Sequence, residues 1–169
     1  MSLSQLFLPE FDAEMKSTRT MLERLERLPA DRLDFAPHAK SMPLRKLAPH
    51  LANLPRIGAI VLTAPALDFG LKRPAPLPFG SVAELLAGFD AVAAAARQAL
   101  TQAADAAWSE TWKLSFHTQL LFEGTRLSAY RRLFLNHLIH HRAQLGVYLR
   151  LNDVPVPPSY GPTADETGF

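Results

Sequence analysis

Apolar side chains recur at intervals of three and four residues along much of the chain, which is the period of an α-helix with one buried face. The pattern predicts a first helix from about Ser4 to Leu28, which Pro29 ends. It is strongest near the other end of the chain, where it predicts a helix from about Arg126 to Leu151, followed by prolines that cannot continue it. Both helices therefore have a face suited to a shared core.

A second helix is predicted to begin at Ser41, whose hydroxyl suits the N-cap position, and to run toward Thr63. Pro43 falls in its first turn, where a missing N–H group does no harm. Pro49 and Pro55 fall inside the helix, and each removes a backbone hydrogen bond. We therefore expect this helix to be bent.

The segment LKRPAPLPFG, residues 71–80, contains three prolines and predicts an extended crossover. Ser81 and Glu84 then form a capping-box pattern that predicts a third, alanine-rich helix to about Ala106. Residues 108–125 show no sustained helical period, so a long loop and a short hairpin both fit them. Four helices joined by one long crossover predict an all-α four-helix bundle, folded as a single domain over residues 1–169.

Composition limits the chemistry and the location of the protein. Its 169 residues are 48% hydrophobic and 20% charged, which is typical of one globular domain. It has no cysteine, so any metal ion must be held by nitrogen and oxygen atoms. No apolar run approaches the ~20 residues of a membrane span and the start does not match a signal peptide, so we expect a cytoplasmic protein without a membrane partner. The net charge of +2, without a basic stripe, predicts no nucleic-acid partner.

Histidines carry the strongest chemical signal. His137 and His141 lie four residues apart in the last predicted helix, so their side chains project side by side from the apolar stripe or its edge. A buried imidazole needs a hydrogen-bond partner or a metal, and both alternatives fit this pair. His50, on the inner flank of the second helix, is the best candidate for a third ligand. Three protein nitrogens with one open position are typical of a catalytic metal site.

The remaining histidines near these elements are expected to lie outside the cluster. His38 and His117 fall in predicted loops, where a solvated surface position is the simplest interpretation. His140 is adjacent to His141, and each residue of a helix turns by about 100°. The apolar stripe lies on the His141 side of the helix, which places His140 at its edge. We therefore expect His140 to support a ligand or to face solvent.

Several stretches resemble the DinB/YfiT-like superfamily of bacterial four-helix-bundle proteins. They are LAPHLANLP in the second predicted helix, NHLIHHRAQLGVYLRLNDVPVPPSYGPTADE near the C-terminus, and the earlier stretches EFDAEMKSTRTMLERL and LDFAPHAKSMPL. The most specific part is HHR-x-Q followed by YLR, although Ala143 replaces the glycine of the common form HHRGQ. The resemblance implies one divalent ion, nickel or zinc, on His50, His137 and His141, and it implies frequent dimers, so we expect a homodimer.

Two classes of function remain open. The first is a metal-dependent hydrolase or thiol transferase that acts on a small molecule or a thiol, since some relatives resemble thiol-dependent transferases or isomerases. Its open metal position would bind water or a thiolate and lower the pKa of that group. The second is a non-catalytic, stress-related metal-binding or interaction protein, in which the ion mainly connects the second and fourth helices. An exchangeable ligand on the metal would favour the first class, and a closed coordination shell the second.

Overall fold

Four long helical segments make up most of residues 2–167, the part of the chain that the computed structural model describes. The predicted number of helices is therefore confirmed. The long helices are α1 (Leu3–Glu23), α2 (Leu44–Thr63), α3 (Val82–Gln102) and a fourth helical segment made of α4 (Arg126–Ala129), a π-helix (Tyr130–Leu135) and α5 (Asn136–Arg150). Short 3₁₀-helices lie at Arg24–Arg27, Ala30–Asp34 and Asp105–Ser109.

A three-stranded sheet corrects the prediction of an all-α fold. Its strands are β1 (Ala66–Asp68), β2 (Thr111–Phe116) and β3 (Gln119–Thr125). β1 pairs parallel with β2, and β2 pairs antiparallel with β3, so residues 108–125 contain the hairpin that was one of two alternatives. Trp112 and Leu114 are buried while Lys113 between them is exposed, which is the period of two expected for a half-buried strand. This alternation explains why the segment shows no helical period.

The beginning of α2 differs from the prediction. Pro43 occupies the N-cap position in an extended conformation and no side chain caps the helix, so Ser41 does not have the predicted role. The carbonyl of Pro43 instead accepts hydrogen bonds from the N–H groups of Lys46 and Leu47. Both internal prolines lie within the helical range.

Ser81 is confirmed as the N-cap of α3, and its hydroxyl accepts a hydrogen bond from the N–H of Glu84. The Glu84 carboxylate accepts one from the N–H of Gly80 at 2.7 Å. The helix ends at Gln102 and not near Ala106, because the backbone of the next residue is extended and a 3₁₀-helix follows. The first helix likewise stops early as an α-helix, and its last turn becomes a 3₁₀-helix.

The predicted extended crossover is confirmed at residues 72–79, which form no helix or strand. It passes along α2, where the side-chain amide of Asn53 donates a hydrogen bond to the carbonyl of Ala75 at 3.0 Å. Leu77 anchors the crossover in the core. The crossover therefore forms a wall that faces α2.

α2 and the fourth helical segment approach each other closely at Gly58. A Cβ atom at this position would lie 2.6 Å from Cδ1 of the buried Phe134 ring, so only glycine fits without displacement. The contact lies between the two helices that carry the candidate metal ligands. Among residues 2–167, no helix combines the length and the apolar character that a membrane crossing requires.

Candidate metal centre

Three histidines from two helices converge on one point. Nε2 of His50, on α2, lies 3.4 Å from Nε2 of His137, on α5. Nε2 of His137 lies 2.8 Å from Nε2 of His141 on the same helix. One ring nitrogen from each residue lies within 4.8 Å of the other two. Within residues 2–167 this is the single group of three or more histidine, aspartate or glutamate side chains with such spacing. The structure thus brings together the three residues singled out in the sequence.

Local structure explains this convergence. His137 and His141 lie one turn apart on α5, and their ring centroids are 4.6 Å apart. Pro49, which directly precedes His50, is buried within α2 and does not divert the imidazole from the cluster. The close contact between Gly58 and Phe134 lies two turns beyond His50 and one turn before His137, so it sets the separation of the two ligand-bearing helices.

Hydrogen bonds at the Nδ1 atoms orient the rings. Nδ1 of His141 lies 2.7 Å from Oε1 of Gln144, and an amide oxygen only accepts, so the proton of His141 resides on Nδ1. Nδ1 of His137 lies 3.4 Å from the carbonyl oxygen of Leu133. This oxygen also only accepts, so the longer contact likewise favours a proton on Nδ1. With both protons on Nδ1, the two Nε2 atoms would be unprotonated and their lone pairs would face each other across 2.8 Å.

This arrangement fits one small divalent ion. Two imidazole nitrogens bound to the same ion at about 2.0–2.1 Å lie about 2.9 Å apart for a right angle and about 3.4 Å apart for a tetrahedral angle. Two of the three separations, 2.8 and 3.4 Å, lie close to these two values, and all three nitrogens lie within 4.8 Å of one another. A cation would also remove the repulsion between the facing lone pairs. The donor set of three imidazoles suits zinc, nickel and similar ions.

Burial lowers the pKa of all three imidazoles. Desolvation is the main cause for His50 and His137, and the charge of a neighbouring histidine adds to it in each case. For His141, burial lowers the pKa to about 4, although the hydrogen bond to Gln144 acts in the opposite direction. The rings are therefore neutral at pH 7, which is the form that binds metal.

A cleft of about 760 Å³ opens beside the histidines, and its size is typical of small-molecule sites. His50 and His137 form part of its wall, whereas His141 lies outside the lining. Apolar side chains from α2, the crossover and the sheet make up most of the rest. A small molecule in the cleft would therefore meet two of the three imidazoles.

The other histidines lie outside the cluster. His38 and His117 are exposed, the latter in the turn of the hairpin with a φ of 51°. His140 is exposed on α5, with its ring centroid 4.9 Å from that of His141. Sequence reasoning missed the role of Gln144, although a spacing of three from His141 on one helix would have indicated that the two side chains meet.

Arg142 fixes the rotation of α5. Its guanidinium is 2% exposed, lies 2.6 Å from the carboxylate of Glu14 on α1, and donates to Oγ1 of Thr18 at 3.2 Å. The Tyr160 hydroxyl accepts from Arg142 and donates to Glu14, and burial, followed by the Glu14 contact, raises its pKa to about 12. Successive helical residues differ by about 100°, so directing Arg142 toward α1 helps to direct His141 toward α2.

Comparisons with known proteins identify the family of the chain. The family model of the DinB superfamily matches residues 15–145, which is more than half of the chain. The chain belongs to the DinB superfamily. The matched range contains all three histidines of the cluster, so the resemblance seen in the sequence is confirmed at the level of the superfamily.

Two solved structures of DinB-like proteins share the fold. The DinB-like protein YjoA from Bacillus subtilis is 16% identical, with a TM-score of 0.69 over 91% of this chain and 97% of that chain. A DinB-like protein from Bacillus cereus ATCC 10987 is 22% identical, with a TM-score of 0.64 over 91% of this chain and 95% of that chain. No curated protein sequence matches the chain. At these identities the likeness establishes the fold alone.

Proposed function

We propose that this DinB-superfamily protein binds one divalent metal ion, nickel or zinc, through Nε2 of His50, His137 and His141, and that it is a metal-dependent hydrolase or thiol transferase. The observation that carries the proposal is the convergence of three imidazole nitrogens beside an open cleft. A bound ion would supply Lewis acidity, which lowers the pKa of water or of a thiol and produces a nucleophile at neutral pH.

The residues around the cluster favour the transferase. None of the described residues that line the cleft is an aspartate or a glutamate, so the wall offers no carboxylate as general base. A thiol needs less assistance than water, because its ordinary pKa of about 8.5 is already close to neutrality. Gln144 would hold His141 in the tautomer that presents Nε2, and the apolar lining would exclude water from a bound substrate.

A non-catalytic, stress-related metal-binding or interaction protein is the second candidate. It is supported by the origin of the ligands, because the three histidines come from α2 and α5 alone and an ion would connect these helices. The accessible wall formed by His50 and His137 favours the enzyme over this alternative, since a purely structural site is normally closed.

We further propose that the protein is a cytoplasmic homodimer. Phe116, Leu120 and Leu121 on the β2–β3 hairpin are each about half exposed, which supports contact with a second copy. Light scattering coupled to size-exclusion chromatography would measure the mass in solution, and a mass of one chain would contradict the dimer.

Metal analysis of the purified protein, combined with a panel of thiol substrates, tests the main proposal. We expect up to one divalent ion per chain, and loss of most of it in His141→Ala. His140→Ala is the matched control and should keep its ion, because this neighbouring ring lies outside the cluster. Full occupancy in His141→Ala would contradict the three-histidine site. A metal-loaded protein that transforms no thiol and shows no exchangeable ligand would favour the non-catalytic alternative.

A further inference from the structure

The cleft changes character along α2. Lys46, His50, Leu54 and Ile57 follow one another at spacings of four, four and three, so they share one face of the helix, and all of them line the cleft. Lys46 is exposed at one end of this row, whereas Leu54 is buried and Ile57 is half-buried at the other end. One face of α2 therefore runs from a cation, past the histidines, to an apolar surface.

The sheet and the crossover extend the apolar end. Leu67 from β1 and Trp112 and Leu114 from β2 line the cleft with buried side chains. The hydrogen bond from Asn53 to the carbonyl of Ala75 holds the crossover against α2. This end of the cleft suits a hydrocarbon chain, because it offers apolar surface on more than one side.

All charged residues that line the cleft are basic. They are Arg45, Lys46 and Arg73. Among the described residues that line the cleft, none is acidic, so no carboxylate in the wall neutralises these positive charges. Arg45 already pairs with Asp34 at 2.8 Å. Within residues 2–167, Lys46 and Arg73 have no carboxylate within ion-pair distance. The charge of the cleft therefore complements an anion.

We propose that the cleft binds a small carboxylic acid with an unbranched apolar chain, with the carboxylate near Lys46 and His50 and the chain directed along α2 toward Trp112. The assignment rests in part on the proposed function, because an ion on the histidines would add a second cation beside the carboxylate. The basic and apolar ends belong to the chain itself, however, and do not require that ion.

The helix also indicates the length of the ligand. His50 and Ile57 are seven residues apart, which corresponds to about 10 Å along an α-helix. Carbon–carbon bonds of about 1.5 Å advance an extended chain by about 1.3 Å each, so an acid of about eight carbons matches this distance. Octanoate is therefore the probe that the geometry favours.

Isothermal titration calorimetry of the zinc-loaded and the metal-free protein tests the assignment. The ligands are butanoate, hexanoate and octanoate, with octan-1-ol and octylammonium as charge controls. Affinity should rise about threefold to fourfold with each added methylene group up to octanoate. Octanoate should bind more tightly than either control, and the zinc-loaded protein should bind it more tightly than the metal-free one.

Three variants locate the ligand. Lys46→Gln should weaken octanoate about twofold to fivefold, the effect expected for one exposed charge pair, and leave octan-1-ol unchanged. Lys16→Gln is the matched control, because Lys16 is exposed on α1 and lies outside the cleft, and it should change neither ligand. Ile57→Ala should weaken octanoate more than butanoate, and equal losses would overturn the proposed orientation.

The outcomes separate this inference from the metal proposal. Zinc binding is titrated independently on the same samples. If the protein binds zinc but its affinity for the acids does not depend on chain length, or if octylammonium binds as tightly as octanoate, the carboxylate assignment is overturned and the metal site remains intact. Selective binding of octanoate by a protein that does not bind zinc would support the cleft assignment and contradict the metal site.

Discussion

Replacing Gly58 by alanine tests how closely α2 and the fourth helical segment must approach each other. The new Cβ atom would lie 2.6 Å from Cδ1 and 3.0 Å from Cε1 of Phe134, well inside the usual contact distance of about 3.5–4.0 Å. The Phe134 ring is fully buried and packs against Phe11 and Tyr130, with centroid separations of 6.0 and 5.1 Å. The ring therefore has no free space to enter, and the helices must separate.

Two opposing effects determine the magnitude. Overpacking a core costs about 1–3 kcal/mol, whereas alanine is favoured over glycine inside a helix by about 0.8–1.0 kcal/mol. We expect Gly58→Ala to lose about 1 kcal/mol net, which lowers the melting temperature by about 3 °C in a domain of this size. Separating the helices would also move His50 away from His137, so metal affinity should fall with stability.

Gly146→Ala is the matched control, because it makes the same change inside α5. Its Cβ atom would meet Cγ1 of Val156 at 3.6 Å, an ordinary contact, so this variant should gain about 0.5–1 kcal/mol. Urea denaturation of the metal-free proteins, followed by far-ultraviolet circular dichroism, measures both free energies of unfolding. If Gly58→Ala is stabilised as Gly146→Ala is, the close contact does not constrain the helices and the reasoning is refuted.

Three further predictions concern the histidines. Gln144→Leu should weaken metal binding by about 10- to 100-fold in calorimetric titration, and an unchanged affinity would show that Gln144 does not control the ring of His141. Chelator-treated protein should keep most of its helical circular dichroism signal, since the apolar core does not depend on an ion; loss of that signal would make the site structural. Lowering the pH from about 7.5 to about 5 should destabilise the metal-free protein, because unfolding lets His141 take up a proton that its folded pKa of about 4 excludes. Urea denaturation should show a smaller loss in His141→Gln, and equal losses would contradict the lowered pKa.

The helices and the pairing of His137 with His141 could be predicted because each depends on residues close in sequence. A helical period directly indicates which side chains share a face, and a spacing of four places two imidazoles side by side. His50 could be proposed as the third ligand for the same reason, since its spacing from Leu54 and Ile57 assigns it to the inner flank of α2. Local periodicity, together with the family resemblance, thus indicated the three rings that lie together.

Features that depend on distant residues could not be predicted. β1 has three residues and pairs in parallel with a strand more than 40 residues later in the chain, so it leaves no local pattern. The cleft is assembled from α2, the crossover, the sheet and the π-helix, and its charge and volume emerge only when these segments meet. The contact between Gly58 and Phe134 likewise depends on the distance between two helices, which hydrophobic spacing does not encode.

The π-helix at Tyr130–Leu135 determines where the chain can lose a residue without moving the site. Its hydrogen bonds span one residue more than those of an α-helix, so deleting an exposed residue such as Arg131 would let the backbone close into regular α-helix. The wide turn absorbs one extra residue, so the residues after this deletion would keep their direction, and His137, His141 and Arg142 would keep their partners. A deletion from the regular turns of α5 would instead turn every following residue by about 100°. A shortened relative with a regular fourth helix should therefore keep the histidine cluster, provided that the missing residue comes from the irregular turn.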